Sequence, residues 1–229
     1  MLLLAADTSG KNGSIALAQC GPADACQVLD AVPLEGGTFS AQLVPQVAAL
    51  LAKHGFSKNE LEAFAVVSGP GSFTGLRVGL AAIKALAEVL QKPIAAVSLL
   101  EAVAVAYPFR GKVIAALDAG RGEIYAGEYE VGDAVLMRSE RLLTREEFAA
   151  AAEGRVVVSP DRVVLDAAVA AGLQAREVER PRSDAIARLG WRKIQAGDTV
   201  VPEALEANYI RRSDAEIFSN VAVDSARRH

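Results

Sequence analysis

Two stretches of the chain, 111 residues apart, follow the same plan, and this repetition limits the folds open to it. Leu3-Leu4-Ala5-Ala6-Asp7-Thr8-Ser9-Gly10 leads into Ser14-Ile15-Ala16-Leu17-Ala18. Ala115-Ala116-Leu117-Asp118-Ala119-Gly120-Arg121-Gly122 leads into Glu123-Ile124-Tyr125-Ala126-Gly127. Each is an apolar strand that ends on an aspartate, then a glycine-containing turn, then an alternating strand, and Asn12-Gly13 is a strong hairpin signal in the first copy. The spacing is about half of the 229 residues. The pattern predicts two duplicated α/β halves facing each other.

The segments between the two openings read as strands and helices in alternation. Leu43, Val44, Val47, Leu50 and Leu51 recur at helical spacing within 39–54, with Pro45 in the first turns and Gly55 as the stop. The apolar run 64–67 leads into Ser68-Gly69-Pro70-Gly71-Ser72-Phe73-Thr74-Gly75, and a long helix follows to about Gln91, ended by Lys92-Pro93. Ser98 and Glu101 match a capping box before the next helix. Further strands are expected at 27–32, 94–97, 112–117, 123–130 and 155–159, and further helices near 161–171 and 183–196. Region 131–147 reads as polar and irregular, with a short strand at 135–138.

Composition narrows the function classes. Hydrophobic residues make up 52% of the chain and aromatics only 5%, so Ala, Val and Leu must fill the core. The formal charge of −4 gives no general attraction to nucleic acid; Arg211, Arg212, Arg227 and Arg228 are the local basic candidate. Cys20 and Cys26 flank a Gly21-Pro22 turn and fit neither a zinc framework nor a Cys-x-x-Cys motif, so they read as reduced thiols of a cytoplasmic protein. The apolar start at Met1–Ala6 is too short for a signal peptide, and Lys84 and Glu88 interrupt the most apolar helix, so no membrane span is expected. His54 and His229 are the only histidines, and there is no Gly-x-Ser-x-Gly elbow, so no nucleophile–base pair or metal pair stands out.

Three features carry the remaining chemistry. The Gly69–Gly75 loop between strand and helix suits either an anion at the helix N-terminus or a tight turn that lets strand and helix pack closely; it is neither a P-loop nor a dinucleotide fingerprint. Asp7 and Asp118 either cap their own turns or meet at a cleft between the halves to hold a metal. Gly75, Gly79 and Ala82 form a stripe of small residues that admits a close neighbour, whether the chain's own sheet or a partner's helix, with Arg77 off that stripe.

Taken together, Ala6-Asp7-Thr8-Ser9, the stretch Ser68 to Gly79 with its Thr74-Gly75-Leu76-Arg77 continuation, Ala116 to Tyr125, and Asn208-Tyr209-Ile210-Arg211 resemble the bacterial TsaB (YeaZ) family of Gcp-like proteins, collinearly from residue 1 to about 211. The resemblance implies an actin/Hsp70-like (ASKHA) duplicated ribonuclease H-like α/β fold of two lobes. These would be 1–107 (completed by 205–219) and 108–204, with 220–229 as a disordered tail. It implies a part in forming N6-threonylcarbamoyladenosine at position 37 of tRNAs that read codons beginning with A. The expected partners are a catalytic sister subunit (TsaD), an ATPase (TsaE), tRNA through the complex, and a second copy when the sister is absent. The sister carries two metal-binding histidines four apart on the helix after the Ala96-Val97 strand; Leu99 and Val103 stand there in this chain, and an apolar pair does not ligate a metal. One departure is that a His-Ser-Glu-like segment of relatives reads Thr38-Phe39-Ser40-Ala41 here.

The expectation is therefore a non-catalytic subunit with no cofactor of its own. Its partner interface would lie on helices 39–54 and 74–91, through Leu43, Val47, Leu50, Gly75, Arg77, Gly79, Ala82 and Leu86. The competing reading is a nucleotide-dependent enzyme, an ATPase or kinase of the same fold, holding ATP or ADP with magnesium through Asp7, Gly69, Gly71 and Asp118. An M22-type peptidase is the remote third.

Overall fold

The computed structural model describes residues 1–22 and 25–210. The first lobe opens with strands β1 (Leu2–Asp7), β2 (Gly13–Cys20) and β3 (Cys26–Leu34), joined antiparallel in a meander. Helix α1 (Phe39–Lys53) leads to β4 (Leu61–Gly69), α2 (Phe73–Leu90) and β5 (Ile94–Ser98). β4 pairs parallel with β1 and β5 parallel with β4, giving the order β3-β2-β1-β4-β5. β1 is buried on both faces, as a central strand with helices on either side must be.

After α3 (Leu99–Ala106) the plan recurs: β6 (Gly111–Gly120), β7 (Glu123–Val131), β8 (Val135–Thr144), α4 (Arg145–Ala151), β9 (Val156–Ser159), α5 (Arg162–Ala170) and β10 (Ala175–Glu177). The second sheet has the order β8-β7-β6-β9-β10, which matches the first strand for strand. The Asp7 and Asp118 ends are thus equivalent places in two copies of an α/β unit with the same strand order. In the second copy the β6–β7 turn passes through Gly120, Arg121 and Gly122, all at positive φ, where glycine is favoured at two of the three positions.

The third helix of each unit crosses to the other lobe's territory. α3 packs chiefly on β6 and β7 of the second sheet. The last helix, α6 (Ser183–Gln195), packs across all five strands of the first. Segment 183–195, assigned by sequence to the 108–204 lobe, therefore belongs to the first lobe by packing. Gly190 is what lets α6 come down: a Cβ there would overlap that of Ala65 on β4. The chain then returns along the first lobe, with Val200 bridging Ile94 and Leu205 buried in the same core. Of the expected completing segment 205–219, residues 205–210 lie here; the rest of it, the 220–229 tail and the four tail arginines fall outside the described residues.

Two elements differ from expectation. Region 131–147 holds the full-length edge strand β8 and the start of helix α4. β8 is polar because an exposed edge carries charges, and its pairs Arg138–Glu130 (2.9 Å) and Arg141–Glu128 (2.5 Å) run across to β7. α4 is announced by Thr144 and Glu147, a capping box in which Thr144 Oγ1 accepts from Glu147 N and the Glu147 carboxylate accepts from Thr144 N. Conversely, Ser98 caps α3 by accepting from Leu100 and Glu101 N–H, but the Glu101 carboxylate turns away to Lys193 of α6, 3.5 Å off. Among the described residues no helix is long and apolar enough to cross a membrane.

α1 and α2 cover the face of the first sheet opposite α6. α2 is seated by Thr8, whose hydroxyl donates to the Gly75 carbonyl (2.8 Å) and occupies the place where a Gly79 side chain would begin. Gly79→Ala is expected to lower stability by about 1–3 kcal/mol through overpacking. In combination with Thr8→Ala, which vacates that space, the two losses should sum to less than their separate values. Urea melts of the two single variants and the double variant check this; strict additivity would mean that the contact carries no strain.

Candidate functional site

A cleft of about 790 Å³ opens at the end of β1, where Asp7, Ser14, Gln42, Gln46 and Arg180 line it; Asp118 is not among its lining residues. Each aspartate is engaged by its own turn. Asp7 Oδ1 accepts from the Ser9 amide (2.8 Å) and hydroxyl (2.6 Å), and Asp118 Oδ1 accepts from Gly120 N–H (2.9 Å). The Asp118 amide in turn donates to Asp161 Oδ2 at 2.8 Å. Arg180, from the link before α6, lies 3.7 Å from Asp161 and acts electrostatically on Asp7. A side-chain cation therefore sits between the acidic groups of the two lobes.

The glycine loop is packed in the same self-contained way. A Cβ at Gly71 would overlap Ser9, and Ser72 N–H donates to the Ser9 carbonyl at 2.7 Å. Gly69, after which the peptide to Pro70 is cis, lies under the Asn208 carbonyl, 2.5 Å from where its Cβ would stand. The fold class implies a magnesium nucleotide between the lobes, but the residues proposed for it do not fit one. Asp7 faces an arginine, Asp118 holds its own turn, and Gly69 and Gly71 are backed by the chain itself.

The sequence-predicted interface residues divide by burial. Leu43, Val47 and Leu50 turn into the core of the first lobe, and Gly75 and Gly79 face Thr8. These five are corrected: they are inside the fold and offer a partner no side chain, because the small stripe serves the chain's own β1. Ala82 and Leu86 are half-buried against the core, and Arg77 is exposed.

Apart from Arg77, the residues that face outward were not singled out from sequence. On α1 they are Ala41, Val44, Pro45, Ala48, Ala49 and Ala52. On α2 they are Phe73, Thr74, Ala81, Ala85, Glu88 and Val89, with Val78 half-exposed; Val44 is 54% and Val89 75% exposed. The exposed side of α1 carries no charge before Lys53. A helix on a solvated surface ordinarily has a polar outer face, and one that is apolar all round is covered on both sides. The signal was in the sequence: Ser40, Gln42, Gln46 and Lys53 are the only polar residues of α1.

A family model described as TsaD, tRNA N6-adenosine threonylcarbamoyltransferase, matches residues 36–191. The tRNA threonylcarbamoyladenosine biosynthesis protein TsaB of Bacillus subtilis is 29% identical over 232 residues, covering 94% of this chain and 96% of the relative. The protein of the same name from Escherichia coli is 35% identical over 133 residues, 57% of this chain and 55% of the relative, so that match spans about half of each. The solved structure of YeaZ from Pseudomonas aeruginosa superposes with a TM-score of 0.75 at 28% identity, covering 91% of this chain and 99% of that one.

Asp7 offers a direct check on the cleft. Burial pushes its carboxyl above the ordinary 3.8, against the opposing Ser9 hydrogen bonds and Arg180. A carboxyl with a raised folded-state pKa contributes stability that is complete below the unfolded value and lost as pH rises through the folded one. Asp7→Asn keeps an acceptor for Ser9 and drops the charge. It is expected to melt above wild type at pH 7.5, with the gap closing as pH falls toward 4. A lower melting temperature at pH 7.5 would mean that Arg180 outweighs burial.

Proposed function

Because the chain belongs to the TsaB/YeaZ family, we propose that it takes part in tRNA threonylcarbamoyladenosine formation as a non-catalytic subunit that docks a TsaD-type sister through the outer faces of α1 and α2. The observation that carries this reading is the largely apolar surface those two helices leave on the outside of a fold whose core is already complete, with no charge on α1 before Lys53 and Arg77 and Glu88 as the exposed charges of α2. Burying the part of Val44 and Val89 that is still exposed contributes on the order of 1–2 kcal/mol each, and small alanines between them allow helices to approach closely. A TsaE-type ATPase and tRNA join in this reading through the assembled complex. A second copy of this chain is the natural occupant of the face when the sister is absent.

The non-catalytic role is supported by α3. Leu99 and Val103, which stand where the sister's metal-binding histidines would be, are fully buried apolar side chains. Neither has a donor atom, and neither reaches the cleft. The cleft residues favour the same reading over an ATPase or kinase, since an arginine lies where a magnesium nucleotide would need carboxylates free. The product assigned to the complex is N6-threonylcarbamoyladenosine at position 37 of tRNAs that read codons beginning with A.

Deleting the gene should abolish the modified nucleoside in bulk tRNA, and this chain should restore it. Ala85→Arg, at an exposed helical position, should leave folding stability within about 0.5 kcal/mol yet fail to restore the nucleoside and fail to bind the sister. Liquid chromatography of tRNA digests and calorimetric titration of the two subunits check both halves. Full restoration by Ala85→Arg together with unchanged binding would overturn the reading.

A further inference from the structure

The C-terminal segment does more than close the first lobe. It runs beside α2: Lys84 Nζ donates to the Glu203 carbonyl (3.2 Å), and Asn208 N–H donates to the Ser68 carbonyl (2.8 Å). Asn208 Nδ2 donates to Glu140 of β8 (2.6 Å), a carboxylate that also accepts from Ser98 and Tyr129. Anchored from both lobes, the segment delivers Tyr209 to the first turn of α2. There its ring lies 5.0 Å from that of Phe73, and its hydroxyl accepts from Arg77 Nε at 3.1 Å. The Arg77 guanidinium lies over the Phe73 ring, 3.7 Å from the centroid.

Arg77 is thus held over one ring and along one edge, yet the side chain is exposed. Its terminal nitrogens have no acceptor among the described residues, and it stands in line with Ala81 and Ala85 at successive four-residue steps on the outer ridge of α2. Ordering an arginine on a surface ordinarily costs side-chain entropy, and here that cost is already met within the monomer. A guanidinium whose fork is oriented and unoccupied matches a planar carboxylate with two parallel hydrogen bonds. The neighbouring ridge is apolar, which suits a protein surface; nucleic-acid interfaces are polar and strongly basic.

We infer that Arg77, held by Phe73 and Tyr209, is a preformed clamp for an aspartate or glutamate side chain of the partner, and that the C-terminal segment is thereby part of the interface. The inference rests on the docking role proposed above and adds the chemistry of recognition: one carboxylate set at the N-terminal end of an otherwise apolar contact. Arginine with adjoining aromatic rings is also the composition in which binding energy concentrates.

The test measures association and dissociation rates of the purified full-length chain with the TsaD-type protein of its own organism, at two salt concentrations. Arg77→Ala is expected to raise the dissociation rate about tenfold or more. Arg77→Lys, which keeps the charge without the fork, should not restore it. Tyr209→Phe, which removes the Nε acceptor and keeps the ring, should fall between, and all three should melt as wild type does. If Arg77→Lys binds as wild type does, or if Arg77→Ala alters only a salt-dependent association rate, the charge merely steers and the clamp is wrong. If Arg77→Ala binds within about twofold of wild type while Ala85→Arg has lost binding, the clamp is overturned and the docking face stands. Failure of the wild-type chain to bind the sister overturns both.

Discussion

Thr8 is where the two halves of the first lobe's design meet. It follows the last residue of β1, and its hydroxyl enters α2 between Gly75 and Gly79, donating to the backbone of one and taking the side-chain volume of the other. A glycine inside a helix costs about 1 kcal/mol relative to alanine, and α2 carries two. The return is a helix fixed in height and rotation against the sheet. That rotation decides which residues of α2 are outside. With Gly75, Gly79 and Ile83 inward, Arg77, Ala81 and Ala85 must face out, so the exposed ridge is a consequence of the buried contact.

The exchange of α3 and α6 between lobes has a similar effect on the cleft. Because α6 lies on the first sheet, the link before it must cross from β10 of the second lobe, and Arg180 is carried across on that link. The glycine loop and the Asp7 turn are fastened to each other through Ser9, which accepts from Ser72 and donates twice to Asp7. These contacts hold the loop and the Asp7 turn together, and Arg180 ties them electrostatically to Asp161 of the second lobe. Rigidity of this kind suits a surface that must be presented unchanged to a partner.

The repeat of strand, aspartate, turn and strand was legible because its signals are local, and the matching strand orders of the two sheets follow from it. The glycine motif, α2 and the Ser98 cap were legible for the same reason. The faces of α1 were not. Leu43, Val47 and Leu50 have helical spacing, but so do Val44, Ala48 and Ala52, and periodicity does not assign one apolar stripe to the core and the other to a partner. For β8 the alternation of charge concealed a strand whose partners, Glu128 and Glu130, lie on β7. The position of α6 was hidden because neighbours in sequence set the expectation, whereas Gly190 against Ala65 sets the fact. Arg180 stood in a stretch with several arginines, and only the folded chain singles it out.

The C-terminal segment joins these arguments. Asn208-Tyr209 is recognisable as a sequence pattern, but the pattern does not say what the residues touch. In the fold, Asn208 occupies the space over Gly69, and that glycine has no room for a side chain because of it. The glycine loop is therefore shaped from two sides, by Ser9 at Gly71 and by Asn208 at Gly69. Its requirement for glycine at 69 and 71 is accounted for by internal packing. The same contact sets Tyr209 beside Phe73 and Arg77. A loop that reads in sequence either as an anion site or as a tight turn is thus also the seat of a strap, and the strap in turn orders the end of the helix whose outer ridge is left free.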